Sequence, residues 1–167
     1  MNSHLRPGLR RNDASLQRVN PGAYNSVMAS ERRAPVPTEI KLHQASRAME
    51  LSFADGTSFR LSYEFLRVYS PSAEVRGHGP GQETLQMGKR EVGIVEVEPV
   101  GHYAIRPKFS DGHETGIYSW DYLYELGTER DALWQRYLDR LAAAGASRDP
   151  DPNAKAPKPA HACGHQH

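Results

Sequence analysis

The chain has one cysteine in 167 residues, Cys163, so no internal disulfide framework holds it together. A reducing, cytoplasmic setting is expected. No apolar run approaches the roughly 18 residues needed to cross a bilayer, which argues against a membrane span. The early arginines precede no apolar segment, so they do not read as a secretory signal. Apolar residues make up 38% of the chain. That is below the roughly 45–50% usual for globular domains, a figure that also counts glycine. Much of the shortfall sits at the two ends, and the middle can still bury a core.

Charge is scarce in sum but uneven in placement. Residues 1–35 carry six arginines against Asp13 and Glu31, while residues 36–145 carry twelve basic and sixteen acidic groups. A mildly acidic body repels phosphate backbones, so sequence-specific nucleic-acid binding is disfavoured. Three parts are expected: a disordered basic leader over 1–35, a folded domain over 36–145, and a Pro-rich flexible tail over 146–167. Met28 offers an alternative start of translation just before the folded part.

Within the body, Glu39–His43 and Met49–Phe53 alternate polar and apolar residues, the period of half-buried strands. Asp55-Gly56 marks a hairpin turn between Met49–Phe53 and a returning strand, Ser58–Leu61. Ser62 is placed to cap a short helix, Tyr63–Val68. The second half echoes the first. Ile94–Val100 and Tyr103–Phe109 are strand candidates, with Pro99 and Pro107 expected at strand ends or edges. Phe109-Ser110-Asp111-Gly112-His113 repeats the pattern Phe53-Ala54-Asp55-Gly56-Thr57, and a short return strand and an aromatic helical turn at Ser119–Leu123 should follow. Thr128-Glu129-Arg130-Asp131 is close to a capping box. Leu133, Tyr137, Leu138 and Leu141 then fall at helical spacing, and Gly145 supplies a left-handed stop. The expected fold is α+β. Two hairpin-plus-short-helix units form a small, mainly antiparallel sheet, packed by a C-terminal helix, with disordered ends. Phe65, Trp120, Tyr122, Leu123 and Trp134 are expected in the core.

Leu66-Arg67 ahead of Ser70-Pro71-Ser72, the Ser110-Asp111-Gly112-His113 turn, and Trp120 together resemble the N-terminal domain of gamma-butyrobetaine hydroxylase. The run Phe65–Gly81 resembles small free-standing bacterial members of that family more strongly still. The resemblance covers about residues 37–145. It implies a zinc ion held by three cysteines and a histidine, with the cysteines at positions 70, 72 and 75. Here those positions are Ser70, Ser72 and Val75, and only His113 matches. Two hydroxyls and an isopropyl group do not replace thiolates, so the fold is expected to persist without that site. As a metal ligand His113 would need new partners among Glu74, Glu114, Ser70 and His78. The oxygenase chemistry of the hydroxylase belongs to a separate, larger domain for which this chain has no room. No His-x-Asp or His-x-Glu pair begins a facial triad either. Related domains fused to Mrp-type iron–sulfur P-loop ATPases suggest, by resemblance, a partner of that kind.

The Tyr69–Gly93 loop is long, and long loops are often functional. Arg67, just ahead of it, and Tyr69, Ser70, Ser72, Arg76 and His78 at its start are the candidate partner- or ligand-binding residues. His161, Cys163, His165 and His167 form a terminal cluster of donors for zinc, iron, nickel or copper. No cofactor is required by any motif, and weak zinc or iron is the one candidate. Gly77–Gly81 lacks the Gly-Lys-Ser/Thr of a nucleotide loop. No Gly-x-Ser-x-Gly elbow supports Ser70 or Ser72 as a nucleophile. The leading expectation is a non-enzymatic protein-interaction module set in iron–sulfur or metal-cofactor maturation. A metal-binding protein and an enzyme using the 69–93 loop as a pocket are the alternatives.

Overall fold

The computed structural model of the chain describes residues 33–79 and 81–153. The expected leader up to residue 32, Pro80 and the terminal His161, Cys163, His165 and His167 lie outside the described residues.

The first unit is an antiparallel meander of β1 (Pro37–His43), β2 (Ala48–Phe53) and β3 (Ser58–Ser62). It runs into α1 (Tyr63–Val68) and a four-residue helix, α2 (Ala73–Arg76), which interrupts the loop expected after Tyr69. The second unit is β4 (Ile94–Val100), β5 (Ala104–Phe109) and β6 (Tyr118–Ser119), in the order β4-β5-β6. Then come α3 (Trp120–Thr128) and α4 (Arg130–Ala143). The fold is α+β, and each unit keeps its own three-stranded antiparallel sheet.

Matched chemistry builds the two units. Gly56 and Gly112 both sit at φ +85, the left-handed turn position that a Cβ would strain. Ser62 and Ser119 both accept a backbone N–H three residues on, at 3.2 Å, and so cap α1 and α3. The second return strand is short, because β6 pairs only with Ala104 and Ile105 of β5. Pro107, opposite Val97, therefore lies past the end of β6, where its missing N–H costs no ladder bond on that side.

Alternation along the strands feeds one core. Met49, Leu51 and Phe53 of β2, Leu61 of β3, Ile94 of β4, and Ile105 and Phe109 of β5 are all buried together. Phe65 and Leu123 join them, while Trp120, Tyr122 and Trp134 pack against the cluster partly exposed. Phe53, Phe59 and Tyr124 meet edge to face at centroid distances of 5.1–5.8 Å, the arrangement aromatic quadrupoles favour.

The start of α4 departs from expectation. Glu129 is its N-cap and makes no side-chain capping bond, while the Thr128 hydroxyl donates backward to the Tyr124 carbonyl. Continuity explains this: α3 and α4 abut, so Thr128 is still helical and unavailable as a cap. The C-terminus of α4 behaves as read. Gly145 takes φ +61, and the N–H groups of Gly145 and Ala146 donate to Ala142 and Leu141, completing a Schellman motif.

The described part of the expected tail, residues 146–153, keeps contact with the body. Beyond α4 the chain forms a strap over the 88–90 segment. Gly88 N–H donates to the Ser147 carbonyl and Arg90 N–H to that of Arg148, both at 3.0 Å. Arg148 forms a fork on the buried Glu64 carboxylate, at 2.9 and 2.6 Å, and its guanidinium lies 4.8 Å over the Trp134 ring. An arginine that finds both a buried carboxylate and an indole face is held, whatever the local proline content.

Candidate functional site

The C-terminal end of α1, the turn into α2, and the β5–β6 turn converge on one polar knot. The end of α1 leaves orphan carbonyls that need donors. Two tyrosines from the β6–α3 segment provide them: Tyr118 donates to the Leu66 carbonyl at 2.6 Å and Tyr122 to the Tyr69 carbonyl at 2.7 Å. Burial pushes both phenols up in pKa, so they remain donors through the physiological range. The Tyr69 hydroxyl donates to the Leu133 carbonyl at 2.5 Å and ties the same corner to α4.

On this corner Ser70 Oγ lies 2.8 Å from His113 Nε2, and His113 Nδ1 lies 3.3 Å from Glu74 Oε2. Glu74 only accepts when ionised, so Nδ1 carries the ring proton and Nε2 accepts from the Ser70 hydroxyl. The His113 pKa is lowered, first by burial and then by the charge of Arg67; Glu74 and Asp111 pull the other way without prevailing. Burial thus disfavours the charged imidazole, and in the neutral form Nε2 can accept from the Ser70 hydroxyl.

Beside it, Arg67 is buried and holds two partners. Its Nε donates to Asp111 Oδ2 at 2.9 Å and its Nη1 to Gln86 Oε1 at 3.0 Å. Lys89 Nζ reaches the same Asp111 oxygen at 2.6 Å, and the His113 N–H donates to the other at 3.3 Å. Burial raises the Asp111 pKa, but the Lys89 hydrogen bond and the charges of Arg67 and Lys89 outweigh it, leaving the carboxyl below its ordinary value.

The chemistry of this knot can be bounded. Serine, imidazole and carboxylate stand in the order of a nucleophile, a base and an orienting group. However, Ser70 is only 1% exposed, and a Cβ on Gly116 would come within 2.3 Å of its Oγ. A substrate carbonyl has no approach to that oxygen without displacing backbone, so the arrangement works as a lock. Nor do the residues fit a zinc ion. Two ligands about 2.1 Å from a tetrahedral zinc stand about 3.4 Å apart, whereas Ser70 and His113 are in direct hydrogen-bond contact. Val75 is buried and offers no donor. Ser72 Oγ is buried without a partner among the described residues. Among the described residues no three His, Cys, Asp or Glu side chains gather as a metal group.

The expected site residues therefore separate. Arg67, Ser70 and Ser72 are interior, and Tyr69 is half-buried, so the expected docking surface loses those members. Their polarity is spent on internal hydrogen bonds. Arg76 and His78 are exposed, as is Glu74. Arg76 holds its guanidinium 4.6 Å over the Tyr122 ring. Of the partners considered for His113, Ser70 is hydrogen-bonded to it and Glu74 lies at ion-pair distance. Sequence reasoning missed Gln86, Lys89 and Asp111 as the seat of Arg67.

The corner described here falls inside a family match. The family described as gamma-butyrobetaine hydroxylase-like, N-terminal, matches residues 40–124. The chain belongs to this family. Two solution NMR structures are similar to this gamma-butyrobetaine hydroxylase-like N-terminal domain. One is 52% identical, with a TM-score of 0.63, covering 73% of this chain and 96% of that one. The other is 49% identical, with the same TM-score of 0.63, covering 75% and 95%. A crystal structure of a protein of unknown function from Acidithiobacillus ferrooxidans is 44% identical over 57% of this chain and 98% of that one, with a TM-score of 0.48. No curated protein matches the chain. The family match is to the N-terminal domain and does not include the oxygenase domain of the hydroxylase. Among the described residues no helix is long and apolar enough to cross a membrane.

Proposed function

We propose that this domain is a non-catalytic protein-interaction module serving iron–sulfur or metal-cofactor maturation, with an Mrp-type iron–sulfur P-loop ATPase as its partner. The observation that carries this reading is the division of the 67–78 segment into a sealed interior and a rigid exposed rim. Ser70 and His113 are locked together inside, while Glu74, Arg76 and His78 face solvent on a helix and turn fixed from beneath. Arg76 is pre-positioned by Tyr122, so less side-chain freedom is lost when a partner carboxylate binds it.

The partner class comes from the family resemblance, and the surface from the geometry. The experiment is cross-linking of the full chain in extract from its own cells, with Arg76→Glu/His78→Ala as the matched control. Recovery of an iron–sulfur P-loop ATPase by the native chain and its loss from the variant is the expected result. Recovery of that ATPase equally by both chains, or by neither, overturns the reading.

A further inference from the structure

Away from the Ser70–His113 corner, the β1–β2 turn, the start of α1, the Arg90–Glu91 segment and the strap enclose a cleft of about 260 Å³. Arg47, Arg90 and Arg148 line it together with Ser46, Ser62, Glu64 and Glu91.

The carboxylates in the cleft do not cancel this donor set. Glu64 is 6% exposed at its side chain and has both oxygens bound by Arg148, so it is neutralised in place. Arg47 pairs with Glu91 at 2.5 Å and Arg90 with Asp149 at 2.9 Å, but these four side chains are 45–56% exposed. Such pairs are weak in water and screened by salt, so Arg47 and Arg90 are not fixed to their carboxylates. Each arginine has five N–H donors in a planar fork and commits one to its carboxylate here. Ser46 Oγ accepts from Arg60 at 2.8 Å and Ser62 Oγ from the Phe65 N–H at 3.2 Å, which leaves both hydroxyl protons to donate. The cleft is thus rich in donors, and its complement is a ligand that only accepts.

The backbone adds an independent observation. Arg47 sits at φ +48, the one positive-φ non-glycine among the described residues. A side chain is strained there and glycine is not, and strain of this kind concentrates at sites that use the side chain.

We infer that this cleft binds a small, multiply charged oxyanion of the phosphate class, clamped between Arg47 and Arg90 with Arg148 fixed behind. The volume falls below the about 300–1,000 Å³ of sites for larger organic ligands, so it suits phosphate or a small phosphorylated molecule and not a nucleotide. The inference is independent of the partner reading above.

The test is a backbone-amide NMR titration of the full chain with inorganic phosphate, with chloride at matched ionic strength as control. Saturable shifts at Ser46, Arg47, Arg90 and Glu91 are expected with phosphate alone. Arg47→Gly and Arg90→Gln should each weaken binding about tenfold or more, as loss of a charge-assisted fork does. Arg47→Gly should keep or raise the melting temperature, since glycine relieves the turn. Shifts that chloride reproduces, saturation centred elsewhere, or binding undiminished in both variants would overturn the proposal. So would a lowered melting temperature in Arg47→Gly, because Arg47 would then be holding the turn itself.

Discussion

Ser70 Oγ and His113 Nε2 meet at 2.8 Å across 43 residues of sequence, and both residues are buried. This contact joins the end of α1 to the β5–β6 turn. His113→Ala would leave the Ser70 hydroxyl buried without its partner, at a cost of about 1–3 kcal/mol. Ser70→Ala leaves the imidazole unpaired on one side and should cost a similar amount. Urea unfolding of both single variants and the double variant is expected to return a coupling energy of about 1 kcal/mol. Strict additivity would show that the pair is a near neighbour without an energetic bond.

Acid should weaken this corner in two stages. The folded pKa of His113 lies below its model-peptide value of 6.5, so the unfolded chain binds the proton first. Its contribution is complete above about pH 6.5 and is lost as pH falls toward the folded pKa. Asp111, lowered below 3.8, contributes above that value and is lost at more acidic pH. Unfolding free energy measured from about pH 7 to pH 5 should fall more steeply in the native chain than in His113→Asn. Parallel profiles would remove His113 from the account.

Restoring donors should restore an ion. By the family resemblance, Ser70→Cys, Ser72→Cys and Val75→Cys would supply three thiolates beside His113, a donor set that zinc takes up. In chains ended at Asn153, which removes His161, Cys163, His165 and His167, the triple variant is expected to take up one zinc and to melt higher with it. The same chain without the three substitutions should do neither. Native mass spectrometry and thermal melts with and without chelator check both.

Arg148→Ala should be costly for a residue so near a proline-rich segment. It leaves Glu64 inside without its counterion. Fully buried pairs broken on one side lose about 3–5 kcal/mol, and the 30% exposure of Arg148 reduces this to about 2 kcal/mol. Denaturant melts would measure it. Glu64→Gln/Arg148→Met, which removes both charges, should recover most of the loss, and its failure to do so would locate the effect in the Trp134 contact.

Local rules carried the reading of the fold well. Asp55-Gly56 and Asp111-Gly112 announced their turns, and Ser62 announced its cap, because each acts within four residues. The resemblance supplied the family, and the substitutions at 70, 72 and 75 signalled that the zinc site does not fit. The interior position of Arg67 was not legible, since a guanidinium reads as solvated until Gln86, Lys89 and Asp111 are brought around it. The short return strand was legible after the second Asp-Gly turn, but one contact beside it was not. Gly116 leaves the strand path to lie against Ser70, a contact 46 residues away in sequence. Thr128 misled because two helices run together there.

The strap has a consequence for synthesis. Glu64 lies 84 residues ahead of the arginine that balances it. As the polypeptide is made, the residues of both sheets and α4 all precede that cation, and the carboxylate must stay hydrated in the interval. Closure of this domain is therefore a late event of translation, timed by the arrival of residue 148.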